Sequence, residues 1–191
     1  MKREQILQIT AQWVNAAMAE NDPAHDPDHV QRVVQLTKKL CVAEPSADPF
    51  RAELLAWLHD MNDDKLTSNR GLEAVAEYLQ AAGAGEEEIA FVLQGIPYIS
   101  YRKHPRLSSD IPLEIRIVQD ADRIDAMGAM GIARTFAYGG AKGRSLEESL
   151  QHFDEKLLLL YDLLSTDAAR ELARPRHEFL VNFYQQFKAE R

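Results

Sequence analysis

The sequence predicts an all-helical bundle. Apolar residues recur three and four positions apart along almost its whole length. No stretch alternates convincingly as a strand would, and Asp-Pro and Ser-x-x-Glu signals mark places where helices start. The 191 residues suit one domain, and an apolar share of 46% without low-complexity tracts suits a globular core. The expected organisation is a single domain over 1–191, with a C-terminal helical extension from about 145 packed on it.

A first helix covers roughly 3–20. Asp26 then serves as a cap and Pro27 as a first helical residue, where proline loses no hydrogen bond. The second helix carries Val30, Val33, Val34, Thr37, Leu40 and Cys41, and ends before Pro45. Asp48–Pro49 repeats the cap and opens a third helix through Leu54, Leu55 and Leu58 to His59 and Asp60. MNDDKLTSN breaks it. A fourth helix with Leu72, Val75, Ala76 and Leu79 stops at Gly83. Glu86, Glu87 and Glu88 open a fifth, at the positive end of its dipole, and it is expected to end near Gly95. IPYISYRKHPRLSSD reads as a loop. Pro112 opens a sixth helix through Ile115, Ile117 and Val118 into QDADRID. A short apolar helix runs to Tyr138 and is expected to stop at Gly139–Gly140. Ser145 and Glu148 form a capping box for a helix through about 164. Pro175 predicts a kink or break in the last helix.

Several classes of function are disfavoured. A net charge of −8 speaks against a stable nucleic-acid complex, where phosphate neutralisation dominates affinity. MKREQILQIT is charged and soon amphipathic rather than a secretory leader, and no apolar run reaches the roughly 20 residues of a membrane helix. The expectation is a soluble, cytoplasmic protein without a membrane partner; a homodimer is left open. Cys41 has no second cysteine to pair with and reads as a buried structural thiol.

Metal-type ligands stand next to apolar residues on three separate helices. His29 shares a face with Val33, Leu36 and Leu40, and His59 with Ala52 and Leu55; Asp60 follows directly. Asp120, Asp122 and Asp125 crowd a segment otherwise rich in Ile, Val and Ala. Aspartate is a weak helix former and costly to bury unpaired, and a divalent cation resolves both costs. Any one of these residues alone is commonplace, and His25–Asp26 shows that a His-Asp pair can be mere loop and cap. The combination, in this order, is the signal. Two imidazoles and two carboxylates suit one divalent ion among Mn, Fe, Co, Ni and Zn, with Mg also admitted. Spacing does not choose between Asp120 and Asp122.

HDPDHVQRV, LLAWLHDMNDDK and IVQDADRIDAMGAMGIARTFAYGG, in that order, resemble the HD-domain superfamily of metal-dependent phosphohydrolases. The likeness is greatest to its small bacterial YedJ-like branch, which includes nucleotide pyrophosphohydrolases. It extends through HFDEKLLLLYDLLSTDAARELA and RHEFL, so it covers about 22 to 185. It implies an HD-domain helical bundle, with His29, His59, Asp60 and Asp122 as metal ligands and Asp120 behind them. It further implies that the acidic residue four positions after the central histidine, Asp63, is catalytic, where several relatives carry Glu. Pro175 departs from the branch but falls away from the site.

The chemistry expected is hydrolysis of a nucleotide or another small phosphorylated metabolite. Asp63 accepts or orients the proton of the attacking water; Asp64 shares that role or caps the next helix. Arg32 and Lys65 are candidate phosphate binders. Arg102, Lys103, His104 and Arg106 form either a phosphate-binding loop or a solvated surface. Tyr138, Gly139 and Gly140 either line the pocket or end a helix, and Arg123 binds substrate or pairs with a carboxylate. Two alternatives stand beside the nucleotide reading: a phosphomonoesterase or phosphodiesterase, and a non-catalytic HD-domain ligand sensor.

Overall fold

The computed structural model describes residues 2–19, 27–61, 71–99 and 108–190. Among them the regular structure is helical throughout: α1 (Lys2–Ala19), α2 (Pro27–Ala43), α3 (Pro49–Leu58), α4 (Gly71–Ala81), α5 (Glu86–Ile99), α6 (Leu113–Asp125), α7 (Gly128–Ala141), α8 (Leu146–Glu155) and α9 (Asp167–Ala189). Two 3-10 turns, Leu157–Leu159 and Tyr161–Leu163, separate α8 from α9. No helix among the described residues is long and apolar enough to cross a membrane. The chain forms two compact units, residues 1–119 and 120–191.

The first unit is built around α3. Asp48 caps it, accepting from the backbone of Phe50 at 2.9 Å and Arg51 at 3.4 Å, and its own N–H donates to Glu114 at 2.7 Å. Phe50, Ala52, Leu54, Leu55, Ala56 and Leu58 are all buried. A helix apolar on nearly every side must be surrounded, and α1, α2 and α5 pack against it. The α2 residues Val33, Leu36 and Leu40 face this core. Cys41 lies at its margin, where burial pushes the thiol up to about 11 and nearby carboxylates reinforce the shift. That fits the structural role expected for it.

In the second unit α7 packs on α8 and α9 around Phe153, Leu157, Leu160, Leu164, Ala169, Ala173 and Leu180. The capping box of α8 is present in full: Ser145 Oγ accepts from Glu148 N at 3.1 Å, and Glu148 Oε2 accepts from Ser145 N at 2.7 Å.

Four expectations are corrected. The fifth helix does not end near Gly95 but continues through Pro97 to Ile99. Phe91, Val92, Gly95, Ile96 and Ile99 form one buried stripe, and Gly95 is there for closeness: a Cβ on it would sit 2.8 Å from Leu55 Cδ2. The seventh helix likewise runs past Gly139 and Gly140 to Ala141, and the chain turns at Gly143, whose φ is +68°. The eighth ends at Glu155, not about 164; its leucine stripe continues through 3-10 turns that keep Leu157, Leu160 and Leu164 buried. Of the kink or break expected at Pro175, the break does not occur: the last helix is continuous and buries Ala169, Ala173 and Leu180 on either side of it. Those contacts outweigh the one backbone hydrogen bond that proline removes.

Gly131 and Gly140 make a controlled pair on α7. A Cβ on Gly131 would press into the backbone of Ala126 across the tight α6–α7 turn, whereas nothing lies within 4 Å of one on Gly140. Gly131→Ala is expected to destabilise by about 1–3 kcal/mol through overpacking. Gly140→Ala is expected to be neutral or to stabilise by up to about 1 kcal/mol. Urea titration of the two variants checks this; equal unfolding midpoints would refute it.

Candidate metal centre

His29 is the third residue of α2, in line with the buried stripe of Val33, Leu36 and Leu40, and is 7% exposed. His59 caps the C-terminus of α3 and is buried because the helix it ends is buried. Its Nδ1 lies 2.8 Å from the carbonyl oxygen of Ala56. A carbonyl only accepts, so Nδ1 carries the proton and Nε2 of the neutral ring carries the lone pair. That Nε2 is buried and has no hydrogen-bond partner among the described residues. The two imidazole rings meet edge to face, with centroids 5.4 Å apart and planes at 68°.

Asp122, on the C-terminal half of α6, is half-buried. His29, His59 and Asp122 each offer one ligand atom, and the three atoms all lie within 4.8 Å of one another. Asp60 stands alongside with a half-exposed side chain. Its Oδ2 is 3.7 Å from His29 Nε2 and its Oδ1 3.5 Å from His59 Nε2. It falls outside the set of three mutually close atoms.

The donor set fits a divalent ion. Leaving the His59 nitrogen buried without a partner costs about 1–3 kcal/mol. A cation would supply the missing partner, and Ala56 orients the ring in the way that fixes metal-binding histidines elsewhere. The arrangement can hold a metal ion; two imidazoles with a carboxylate do not by themselves identify it.

The other two aspartates of α6 have different work. At about 100° per residue, Asp120 and Asp122 point about 200° apart around the helix. Asp120 is fully buried and accepts from Ser165 N at 2.9 Å, Thr166 N at 2.9 Å and Thr166 Oγ1 at 3.0 Å. Burial pushes its carboxyl above the usual range, while those donors and Arg123 pull it back. Asp125, also fully buried, pairs with Arg134 at 3.1 Å. Arg123 donates to the carbonyl of Leu163.

The remaining candidates are dispersed. Arg32 is half-buried on α2, one turn after His29. Tyr138 is exposed on α7, with the cationic groups of Lys142 and Arg144 at 5.7 and 5.4 Å from its ring centroid. Gly139 is closed off by Ser149 of α8, so its missing side chain serves helix packing. Asp63, Asp64, Lys65, Arg102, Lys103, His104 and Arg106 lie outside the described residues. The sequence reading passed over Thr166, which caps α9 by accepting from Ala169 N at 3.2 Å while also holding Asp120. Its signal was in plain view: a Ser-Thr-Asp run just before a helical stretch.

Comparison with known proteins gives this geometry its family. The HD-domain family matches residues 28–127, the stretch that contains all four expected ligands. The Bacillus subtilis protein YpgQ is 39% identical over 183 residues, covering 92% of this chain and 89% of its own. The crystal structure of YpgQ in complex with ADP superposes with a TM-score of 0.85 at 33% identity, covering 100% of this chain and 97% of that one. A crystallised HD-superfamily hydrolase from Bacillus thuringiensis gives 0.79 at 37% identity, with 100% and 98% covered. With His29, His59 and Asp122 converging inside the matched stretch, the chain belongs to the HD-domain family.

Proposed function

We propose that this protein is a divalent-metal-dependent phosphohydrolase that acts on a nucleotide, with a nucleoside triphosphate cleaved to monophosphate and pyrophosphate as the leading case. The observation that carries the reading is the buried His59 Nε2, set by Ala56 to present a lone pair beside His29 and Asp122. His29, His59, Asp60 and Asp122 are the residues that would hold the ion. When bound, the ion makes water acidic enough to attack at neutral pH and polarises a phosphate oxygen. Support for a nucleotide comes from YpgQ, which was crystallised with ADP.

The chain's own residues have separable tasks in this reading. His59 presents its lone pair without rotating, because Nδ1 is already committed. Asp63, four positions after it, accepts or orients the proton of the attacking water. An aspartate is one methylene shorter than a glutamate, so it works through an intervening water. Asp64 shares that task or caps the helix that follows. Phosphoryl transfer depends on charge neutralisation. Arg32, Lys65, Arg102 and Lys103 are assigned to it.

Incubation of nucleoside triphosphates with the protein and Mn, Mg, Co or Ni should release pyrophosphate, and EDTA should stop it. Orthophosphate release instead would indicate a phosphomonoesterase, and turnover of no phosphorylated metabolite would leave a ligand sensor. His59→Ala is expected to abolish both metal binding and hydrolysis while leaving far-UV circular dichroism close to wild type; full activity without bound metal would remove the mechanism. Asp63→Asn should keep the metal and lose most turnover. Wild-type kcat in that variant would show that Asp63 is not the base.

A further inference from the structure

The turn of α6 that carries Asp122 is fastened through its neighbours. Asp120 takes three hydrogen bonds from Ser165 and Thr166, at the head of α9. Arg123 donates to Leu163 O, Ile124 O accepts from Arg176 at 2.9 Å, and Asp125 pairs with Arg134. All these partners belong to the stretch from 120 onward. Both oxygens of Asp120 accept, and the residue is wholly buried.

We propose that Asp120 is a positioning residue for Asp122: by gripping the Ser165–Thr166 corner it sets the rotation of α6 about its axis, and so the direction in which the Asp122 carboxylate is presented. Side-chain tips lie about 5–6 Å from a helix axis, so a rotation of about 20° sweeps one through about 2 Å. A metal site tolerates ligand displacements of only about 0.2 Å. A helix bearing a ligand therefore needs a rotational stop, and a carboxylate about 200° around from that ligand, locked to three donors, is one. The alternative is that Asp120 merely anchors α9, with no consequence for Asp122. The inference rests on Asp122 belonging to a metal site, and not on which phosphate bond is cleaved.

The test measures Mn2+ affinity of the full chain, without substrate, by electron paramagnetic resonance of free Mn2+, beside urea unfolding of the metal-free protein. Asp120→Asn puts an amide donor against the N–H groups of the corner and should weaken Mn2+ binding about tenfold. Thr166→Val removes one donor to Asp120 and should shift affinity in the same direction, while Thr166→Ser, which keeps the hydroxyl, should restore it. Ser145→Ala breaks the α8 capping box and serves as the control: it should lower stability and leave Mn2+ affinity unchanged. Should Asp120→Asn not fold, the Thr166 pair decides. The proposal is overturned if Thr166→Val and any folded Asp120→Asn bind Mn2+ as the wild type does, or if Ser145→Ala weakens binding equally. Wild-type protein that binds no Mn2+ overturns it together with the proposed function; failure of nucleotide hydrolysis alone touches only the latter.

Discussion

The hydrogen bond from His59 Nδ1 to the carbonyl of Ala56 is the contact on which the site depends. Its origin lies in α3. A ten-residue helix with Ala52, Leu54, Leu55, Ala56 and Leu58 wholly buried leaves no solvent at its C-terminal end. The residue that caps it is dragged into the interior. An imidazole there has two nitrogens to satisfy, and the last turn of its own helix offers one open carbonyl within reach. The second nitrogen is left buried without a hydrogen-bond partner among the described residues. Helix burial thus fixes the tautomer, and the tautomer leaves the side chain with a lone pair that a cation could use.

The aspartates of α6 show how one residue type serves three ends within six positions. Asp122 is half-buried, with an oxygen within 4.8 Å of a ligand atom of each histidine; Asp120 is wholly buried and binds a backbone corner; Asp125 is wholly buried and pairs with an arginine. Helical geometry separates them by direction, and each direction leads to a different partner. Buried carboxylates persist only where such partners exist. The density of acid in this helix is therefore less a metal signature than a sign that three different demands are met from one element.

Much of this was legible in the amino-acid order. The caps at Asp48–Pro49 and Ser145–Glu148 sit where the motifs placed them, and His29 and His59 lie on the buried faces that their spacing indicated. The glycines were harder, for a physical reason. Glycine ends helices by adopting positive φ, as Gly83 and Gly143 do, and it also lets helices touch, as Gly95 and Gly139 do. Local sequence is the same in both uses; only the partner across the interface tells them apart. Asp120 and Asp122 posed a similar problem. Both faces of α6 carry apolar neighbours, so hydropathy cannot say which one turns toward histidines on helices far away in the chain. The resemblance selected Asp122, and it is Asp122 that offers an oxygen within 4.8 Å of a ligand atom of each histidine. The leucines after Glu155 misled because an apolar stripe at three- and four-residue spacing is kept as well by successive 3-10 turns as by an α-helix.

Charge places a further demand on the proposed chemistry. The chain carries −8, and residues 100–107 contain three basic side chains and no acid, so the remainder carries −11. A nucleotide polyphosphate approaching such a protein meets repulsion at long range, screened beyond about 10 Å at ordinary salt. Binding must therefore be won locally, by concentrated positive charge at the point of contact. In the proposed site two of the four ligands are imidazoles that add no negative charge, so the ion would keep more of its charge for the substrate than one surrounded by carboxylates alone. In the proposed reaction the basic run at 102–106, together with Arg32 and Lys65, is assigned to the rest of the phosphate chain. On this argument a phosphate-binding HD domain can be strongly acidic overall, provided that basic side chains are gathered where the phosphates must go.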